Sequence, residues 1–378
     1  RKIMKISFKK SDLITALNIV SKAVAVKTTM PILECILIEA DESGVRFTAN
    51  DMELGINTWI RSDSCNVMEG GRTAVDARLF VDIVRKISSD ESSDIVISKK
   101  DSLIEIGCDN SLFKIQERDA DQFPELSLID DEKSIEVSQF TLKEVIKDTI
   151  FSISSNDSNK MMTGELFEVK GDNLKVVSLD GHRISIKNTA LRQSYDPVSV
   201  IIPGKTLSEI SKILPGDADK DVKICFSQSS VLFRFEDTVM ISRLIDGEFF
   251  RIENMLRPDY DTKVVINKKE LLDSIERSTI LVRENDKRPL IFNIEDSSMA
   301  LRMSTVIGSM DDRLLVRKEG KDLMIGFNPR FLMDALRVID DEEVSLYMTN
   351  AKSPLFIRDE KDSYIYLILP VNFNAYSY

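Results

Sequence analysis

The chain of 378 residues carries 51 Lys and Arg against 63 Asp and Glu, which gives a formal net charge of −12. Hydrophobic residues make up 43% and charged residues 30%, a balance that suits packed globular cores and excludes an intrinsically disordered chain. The length suggests two or three domains. No uncharged run is long enough to span a membrane and no basic-then-apolar start suggests secretion, so we expect a soluble cytoplasmic protein.

The sequence lacks the residues that several classes of catalytic site require. His182 is the one histidine in the sequence, and neither a nucleophile elbow nor a glycine-rich phosphate loop is present. Four cysteines are spread along the chain without a Cys-x-x-Cys pair, so we expect buried or half-buried thiols rather than a zinc site or disulfides. The sequence does not favour an enzyme, and we expect neither a metal nor a cofactor.

An internal repeat comes first in chain order. A short alternating strand, a polar turn and an amphipathic helix recur in Ile6–Leu13, Ile135–Leu142 and Val264–Leu271, and corresponding positions of successive copies are 129 residues apart. The apolar helix positions continue four residues on as Leu17, Ile146 and Ile275, as one buried helical face requires. Ser11, Thr141 and Lys269 are predicted to open these helices, at roughly residues 11–24, 141–152 and 268–281.

A second helix in each repeat carries a basic, acidic, basic stripe at positions i, i+4 and i+7, which lie on one side of a helix. The three stripes are Arg78, Asp82 and Arg85; Lys205, Glu209 and Lys212; and Arg330, Asp334 and Arg337. The opposite face is predicted to be buried through Phe80, Ile83 and Ile87; Leu207, Ile210 and Leu214; and Leu332, Ala335 and Ile339. Solvated helix surface with local ion pairs explains any single stripe, but three matching copies favour a shared function.

Segments of alternating hydrophobicity between the helices predict antiparallel strands at Leu54–Ile60, Val231–Phe235 and Val344–Met348. Each third of the chain then contains two helices and several strands, which predicts an α+β fold with helices packed on one face of a sheet. Turns near Asp130–Glu132 and Pro258–Asp261 separate three predicted domains: 1–132 (N-terminal), 133–261 (central) and 262–378 (C-terminal).

Three similar domains joined by similar interfaces turn the chain by a constant angle. Two such chains that meet head to tail are expected to close into a dimeric ring. With Lys86 of the first of these helices added to the three stripes, the striped helices sum to about +4, whereas the chain carries −12. A weakly basic helical surface on an acidic body suits a ring that accepts a nucleic-acid duplex without binding it tightly.

The residues resemble the family of bacterial DNA polymerase III β subunits, the β sliding clamps, over essentially the whole chain. The resemblance is carried by Met4-Lys-Ile, Met30-Pro-Ile-Leu33, Asp121-Gln-Phe-Pro124, Asp180-Gly-His-Arg183, Leu244-Ile-Asp-Gly247, Gly326-Phe-Asn328, Ser353-Pro354 and Tyr366-Leu-Ile-Leu-Pro370. It implies a non-catalytic homodimeric ring that encircles duplex DNA without sequence specificity. The implied partners are the catalytic subunit of DNA polymerase III and the clamp loader, which bind through short linear motifs, and other DNA polymerases and repair proteins.

The resemblance also implies three sets of site residues. Lys27 matches a basic position near the DNA, and we add the stripe cations Arg78, Arg85, Lys205, Lys212, Arg330 and Arg337 as predicted DNA contacts. The positions that match the family's pocket for partner peptides are Met162, Leu179, Gly181, His182, Arg183, Ile184, Met255, Leu367, Leu369, Pro370 and Val371. The dimer interface is expected at Phe113 and Ile115 on one side and Ile280 and Leu281 on the other.

The sequence departs from the family pattern at Phe250, where Pro is frequent, at Asn372, where Arg is frequent, and in the tail Asn374–Tyr378. These departures leave the preferred partner peptide open. Two alternative functions also remain at this point: a monomeric adaptor that binds peptides but never closes a ring, and an enzyme that uses the cleft at Asp180–Arg183 with His182 as acid or base.

Overall fold

A computed structural model describes residues 4–87, 93–126, 129, 133–156, 158–256, 259–282 and 288–373. The helices in this part of the chain are α1 Lys10–Val20, α2 Ala77–Lys86, α3 Gln139–Lys147, α4 Gly204–Ile213, α5 Lys268–Thr279 and α6 Pro329–Val338. Short 3₁₀ turns lie at Ser21–Ala23, Pro31–Glu34, Ala120–Gln122, Ile150–Ser152, Lys160–Thr163 and Glu253–Met255.

The strands of the first half are β1 Met4–Lys9, β2 Cys35–Asp41, β3 Gly44–Asn50, β4 Leu54–Arg61, β5 Cys65–Glu69, β6 Gly71–Asp76, β7 Asp94–Lys100, β8 Leu103–Cys108, β9 Ser111–Gln116, β10 Ser134–Ser138, β11 Gly164–Leu179 and β12 Arg183–Pro203. Those of the second half are β13 Asp221–Phe226, β14 Ser230–Phe235, β15 Thr238–Arg243, β16 Thr262–Asn267, β17 Leu290–Glu295, β18 Ser298–Thr305, β19 Gly308–Leu315, β20 Arg317–Gly320, β21 Leu323–Phe327, β22 Glu343–Met348, β23 Leu355–Arg358 and β24 Tyr364–Ile368.

Contacts divide the chain into two compact units. Unit 1 comprises Arg1–Phe140 and Glu209–Leu244. It contains a five-stranded sheet in the order β5-β1-β7-β8-β9 and an eight-stranded sheet in the order β10-β13-β14-β15-β4-β3-β2-β6. The eight-stranded sheet joins strands of the first and second sequence repeats, because β15 pairs with β4.

Unit 2 comprises Thr141–Ser208 and Ile245–Tyr378. Its seven-stranded sheet has the order β11-β12-β24-β23-β22-β16-β20, and its four-stranded sheet has the order β19-β18-β17-β21. Here β12 of the second repeat pairs with β24 of the third. Strand pairing therefore continues from one repeat into the next, and the grouping by contacts follows the sheets. The acidic turn at 130–132 and Pro258, where we expected domain boundaries, lie outside the described residues.

The strand-then-helix repeat is confirmed, since β1 leads into α1, β10 into α3 and β16 into α5. The exact starts predicted for the first two helices are wrong. Helix α1 begins at Lys10 without a side-chain cap, and α3 begins at Gln139, whose backbone N–H donates to the carbonyl of Lys220 at 2.8 Å. In both repeats the strand enters the helix directly, and in α3 this backbone contact satisfies one of the free N–H groups of the first turn.

The third helix of this set differs, because α5 begins at Lys268 with a side-chain cap. The side chain of Asn267 accepts a hydrogen bond from the N–H of Glu270 at 3.0 Å. Asn is among the residues that best satisfy the free N–H groups of a first helical turn. The side-chain cap that was expected from Ser11 and Thr141 in the first two repeats is therefore present in the third repeat, where Asn267 supplies it one residue before the helix.

The striped helices pack as predicted. All nine apolar residues assigned to the faces of α2, α4 and α6 are buried, with no more than 6% of any side chain exposed. The predicted strands are also present, as β4, β14 and β22. Each striped helix is therefore amphipathic, and the stripe cations on its other side are exposed.

The cysteine prediction is confirmed: Cys35, Cys108 and Cys225 are buried and Cys65 is half-buried, all as free thiols. Burial raises the pKa of the Cys35 thiol to about 11. In the described ranges, no group of three or more His, Cys, Asp or Glu side chains is arranged to hold a metal ion. No helix among the described residues is both long and apolar enough to cross a membrane.

Candidate peptide groove and basic helix faces

Three neighbouring strands of unit 2 bring the predicted peptide-binding residues together. Leu179 at the end of β11 lies opposite Ile184 in β12, and Ile184 lies opposite Leu367 in β24. Side chains on one face of adjacent strands contact each other across the sheet. These three side chains therefore form one continuous apolar strip, although they are up to nearly 190 residues apart in the sequence.

A larger apolar cluster surrounds this strip. Its buried members are Val177, Leu179, Ile184, Ile186, Ile252 and Leu367, and half-buried members packed against them include Met162, Leu166, Phe249, Leu256, Phe356 and Ile365. Sequence reasoning found four of these residues and missed the others. Alternation along the strands was the available signal for Val177 and Ile186, since they stand two residues from Leu179 and Ile184.

Exposed apolar side chains lie beside the cluster. Met255 is 56% exposed, Leu369 38% and Phe250 36%, while Pro370 and Val371 are half-buried. Methionine and leucine form an adaptable apolar surface, and concave or patch-like surfaces of this kind accept apolar side chains of a ligand. We call the buried cluster together with these exposed residues the apolar groove. The tail at 374–378, a further departure noted in the sequence, lies outside the described residues.

The turn between β11 and β12 shapes one end of the groove. The carboxylate of Asp180 accepts hydrogen bonds from the N–H groups of His182 at 2.9 Å and Arg183 at 3.1 Å. Gly181 has φ +87° and has no heavy atom within 4 Å of the position that a Cβ would take. Glycine is therefore favoured there by its left-handed backbone conformation rather than by lack of space.

Arg183 does not present a free charge to the groove. Its guanidinium donates to Asp180 at 3.0 Å, to Asp334 of α6 at 2.6 Å and to the carbonyl oxygen of Phe151 at 2.6 Å. The same group lies 4.4 Å from the ring centre of Phe331. Because two carboxylates and a carbonyl hold this guanidinium, it fixes the turn between β11 and β12 against helix α6. Asp334, expected to pair along its own helix stripe, contacts Arg183 instead.

His182 lies on the surface of this turn and stacks on Phe331, with ring centres 6.1 Å apart and an interplanar angle of 22°. Its carbonyl oxygen accepts a hydrogen bond from the N–H of Leu369 at 2.9 Å. That bond fixes the exposed Leu369 at the end of β24 beside the turn. Phe331 and Asp334 are thus positioning residues that the sequence alone did not connect with the groove.

The predicted DNA-contacting cations are all exposed: Lys27, Arg78, Arg85, Lys205, Lys212, Arg330 and Arg337. Several of them have polar partners: Arg85 donates to Asn18, Lys212 pairs with Glu209 and Arg337 pairs with Glu276. Such exposed pairs are weak and exchange readily with other anions. The charged faces of α2, α4 and α6 therefore remain available to a polyanion.

The residues predicted for the dimer interface lie on or near edge strands of two sheets. Phe113 is 40% exposed on β9, which forms one edge of its sheet, whereas Ile115 on the same strand is buried within unit 1. In unit 2, Ile280 is 77% exposed just after α5. Leu281 is half-buried, with one methyl group 3.5 Å from the Cβ position of Gly308 on the edge strand β19. Unpaired edges are templates for association with another strand.

Comparisons with known proteins cover nearly the whole chain. Three family models match it: the N-terminal domain of the DNA polymerase III beta subunit at residues 4–127, the central domain at 136–250 and the C-terminal domain at 254–372. The beta sliding clamp of Bacillus subtilis is 31% identical over 378 residues, which span 97% of this chain and 99% of that relative.

Solved structures agree with this match. The DNA polymerase sliding clamp of Bacillus subtilis is 30% identical, with a TM-score of 0.94, and covers 98% of this chain and 100% of its own. A chain from Eubacterium rectale, assigned as a DNA polymerase III beta subunit, is 52% identical with a TM-score of 0.93 over the same shares. The expected α+β clamp fold of three repeated domains is confirmed.

Proposed function

Because the chain belongs to the family of DNA polymerase III beta subunits, the beta sliding clamps, we propose that it is a non-catalytic processivity clamp. Two copies form a head-to-tail ring around duplex DNA in the cytoplasm and hold the replicative polymerase on its template. The domains of this clamp are 1–132, 133–261 and 262–378. A monomeric adaptor and an enzyme at the cleft of Asp180–Arg183 are not favoured.

The strand topology carries this proposal. The strands that follow β3, β11 and β18, which are β4, β12 and β19, occupy equivalent positions in the three repeats. The last strands of the repeats, which are β9, β15 and β24, are also equivalent to one another. Within the chain these two kinds of strand pair twice, as β4 with β15 and as β12 with β24. The remaining members, β19 and β9, are both edge strands. A second copy completes the same pairing, and a heterologous contact of this kind gives a closed ring.

The side chains beside these two edges support the same closure. Leu112 and Phe113 are exposed on β9, and Ile280 is exposed next to β19. Apolar side chains beside an unpaired edge favour a partner that covers both the backbone and the side chains. We call the proposed contact between β9 of one copy and β19 of the other the ring seam. Phe113, Ile280 and Leu281 supply its apolar contacts, with Ile115 behind them.

The exposed cations of α2, α4 and α6 and Lys27 are proposed to contact DNA phosphates. Phosphate contacts carry no sequence information, so the clamp would bind any duplex and its binding would weaken with salt. The net charge of −12 opposes tight binding by the rest of the surface. A ring held on by topology needs only this weak, nonspecific attraction.

The apolar groove is proposed to receive short linear motifs of the polymerase catalytic subunit, the clamp loader, and other polymerases and repair proteins. A partner side chain would lie on the strip formed by Leu179, Ile184 and Leu367, and Met162, Met255 and Leu369 would adapt to it. His182 would form one wall through its stacking on Phe331, and Arg183 would hold that wall in place.

Retention on circular DNA tests the central claim. The clamp would be loaded onto nicked circular DNA by the clamp loader of the same bacterium and then separated from free protein at high salt. A topological ring stays with the circle at high salt and is lost when the DNA is cut once, because it slides off the ends. Equal retention on circular and linear DNA, or loss from both at high salt, would reject encirclement.

The DNA contact is tested separately by Arg330→Gln, with Lys361→Gln as the control at an exposed lysine outside the helices. We expect the Arg330 variant to lower the slope of log affinity against log salt by about one unit. The control should leave the slope unchanged. An unchanged slope in both variants would remove α6 from the DNA-facing surface.

A further inference from the structure

Unit 1 contains a cavity of about 140 Å³ at the junction of β4 and β15. The turn between β3 and β4 covers one side of it and the end of β15 another. Residues that line it include Met52, Glu53, Gly55, Leu126, Ile241 and Arg243. A space of this volume admits one aliphatic or small aromatic side chain.

The backbone around this cavity repeats that of the apolar groove in unit 2, bond for bond. Asp51 accepts from the N–H of Glu53 at 3.0 Å and of Leu54 at 2.7 Å, as Asp180 does from the N–H groups of His182 and Arg183. The N–H of Asp51 donates to the carbonyl of Leu54 at 3.0 Å, and the corresponding bond in unit 2 runs from Asp180 to Arg183 at 3.3 Å.

The ends of strands β15 and β24 also make the same backbone hydrogen bond at the two junctions. The N–H of Arg243 donates to the carbonyl of Glu53 at 3.0 Å, and the N–H of Leu369 donates to the carbonyl of His182 at 2.9 Å. Met52 has φ +76°, close to the +87° of its counterpart Gly181. The cavity of unit 1 is therefore the structural counterpart of the apolar groove.

The side chains differ between the two junctions. Glu53 replaces His182, Arg243 replaces Leu369 and Gly55 replaces Ile184 in the matched positions. Ile241 occupies the position that matches Leu367 of the groove, so this position is apolar in both junctions. Leu126 lies over Gly55, with its methyl carbon 2.2 Å from the position of a Cβ there. The apolar floor of Leu126 and Ile241 is bordered by the polar residues Asn50, Ser230 and Ser242, and the rim is charged.

The rim charges have no ion-pair partners in the part of the chain that the structure describes. Glu53, Glu125 and Arg243 all line the cavity, and each is exposed. Two carboxylates against one guanidinium favour a positively charged ligand group near the cavity mouth. The apolar floor favours an aliphatic side chain beside that charge.

We propose that this cavity is a second docking pocket, for a short protein segment with one aliphatic side chain flanked by lysine or arginine. The proposal rests on the proposed peptide-binding role of the apolar groove, because it assigns the same kind of ligand to the same backbone. The charged rim gives the pocket a different specificity, so its partners do not compete for the apolar groove.

Methionine methyl resonances of the full-length protein test the proposal, because Met52 lies at the cavity while Met162 and Met255 lie at the apolar groove. The probe is the capped peptide Gly-Ser-Lys-Leu-Lys-Ser-Gly, and its matched control replaces both lysines with glutamate. We expect the basic peptide to shift the Met52 resonance saturably and to leave Met162 and Met255 unchanged. The acidic peptide should bind roughly fivefold more weakly than the basic one.

Charge reversal at the rim completes the test. Glu53→Lys with Glu125→Lys changes two exposed side chains, and we expect it to reverse the preference between the two peptides. A peptide Gly-Ser-Gln-Leu-Phe-Ser-Gly added separately reports on the apolar groove through Met162 and Met255. If only Met52 fails to respond, or responds equally to both charged peptides, the second pocket is rejected. If Met162 and Met255 alone fail to respond, the proposed function of the groove is at fault.

Discussion

Glu165 is a buried carboxyl group that has no charged partner within the described part of the chain. It lies at the start of β11 with 0% of its surface exposed, and neither of its side-chain oxygens has a hydrogen-bond partner among the described residues. The nearby hydroxyl of Thr149 donates instead to the carbonyl of Val145 at 2.8 Å. Burial raises the pKa of Glu165 well above its usual range, since an ion in an apolar interior loses its hydration.

This shift predicts that Glu165→Gln stabilises the protein at neutral pH. Because the folded-state pKa exceeds the unfolded value of about 4.3, the folded state binds more protons and its stability falls as pH rises above that value. The glutamine variant lacks this loss, so we expect its free energy of unfolding to be about 1–3 kcal/mol higher at pH 7. The difference should vanish near pH 4. Urea unfolding at a series of pH values measures it.

Two features of the neighbourhood define the controls. Burial also raises the pKa of Asp148, which pairs with Lys187 at 2.7 Å, but this contribution is the same in both proteins and cancels in the difference. Glu168→Gln changes a half-buried glutamate of the same strand that pairs with Lys175. It should not reproduce the pH-dependent gain. A Glu165→Gln variant that is less stable at pH 7 and at pH 4 alike would contradict a neutral buried acid.

Arg183 is predicted to matter through geometry rather than charge. Arg183→Lys keeps the charge but cannot donate to Asp180, Asp334 and Phe151 together, because an ammonium group is a compact point donor. We expect a loss of about 2–4 kcal/mol in the free energy of unfolding and weaker binding in the apolar groove. Denaturant unfolding measures the first effect. Arg251→Lys, at an exposed pair with Glu248, is the matched control and should change stability by about 0.5 kcal/mol or less.

At the scale of elements, the turns before β4 and β12 have the same backbone but different residues at the left-handed position. Met52 has φ +76°, a conformation that costs a side-chain-bearing residue about 1 kcal/mol. We expect Met52→Gly to raise stability by about 0.5 kcal/mol, since glycine's flexibility in the unfolded chain offsets part of the gain. Gly181→Met should lower it by about 1 kcal/mol. Thermal unfolding of the two variants checks both signs.

Met68 provides the control for the turn. It is 44% exposed, close to the 42% of Met52, but lies in β5 without a positive φ. Met68→Gly should therefore lower stability, because glycine weakens a strand. If Met52→Gly and Met68→Gly had the same sign, backbone strain at Met52 would not be the reason.

The elements themselves could be predicted because their signals are local. The pattern from Ile6 to Leu13 contains both the alternation of a strand and the spacing of a helix, and it recurs at a fixed distance. Helix starts were less accessible, since the start of α3 depends on the carbonyl of Lys220, far along the chain. The partners of Arg183 were inaccessible for the same reason: Asp334 is 151 residues away, and only the folded sheet brings α6 to the turn.

At the scale of the whole molecule, the ring seam is the proposed contact on which encirclement depends. We expect Ile280→Ala with Leu281→Ala to give folded monomers, because Ile280 is 77% exposed in the chain and would be buried only in the ring. Removal of these methylene groups costs about 2–4 kcal/mol per seam, and a dimeric ring has two seams. The dimer, which loses about 4–8 kcal/mol over both seams, should therefore dissociate at least roughly a thousandfold more readily. Analytical ultracentrifugation at micromolar concentration measures this change.

Val26→Ala with Met30→Ala is the matched control for the seam. These side chains are 92% and 44% exposed, so the substitution removes a similar amount of apolar surface away from β9 and β19. It should leave the dimer intact, and both double variants should keep the circular dichroism of the folded chain. Because β9 and β19 would still pair through their backbones, a residual weak dimer is compatible with the seam. A dimer of full strength in the Ile280 and Leu281 variant would instead place the contact elsewhere, and the ring would then have to close through other edges.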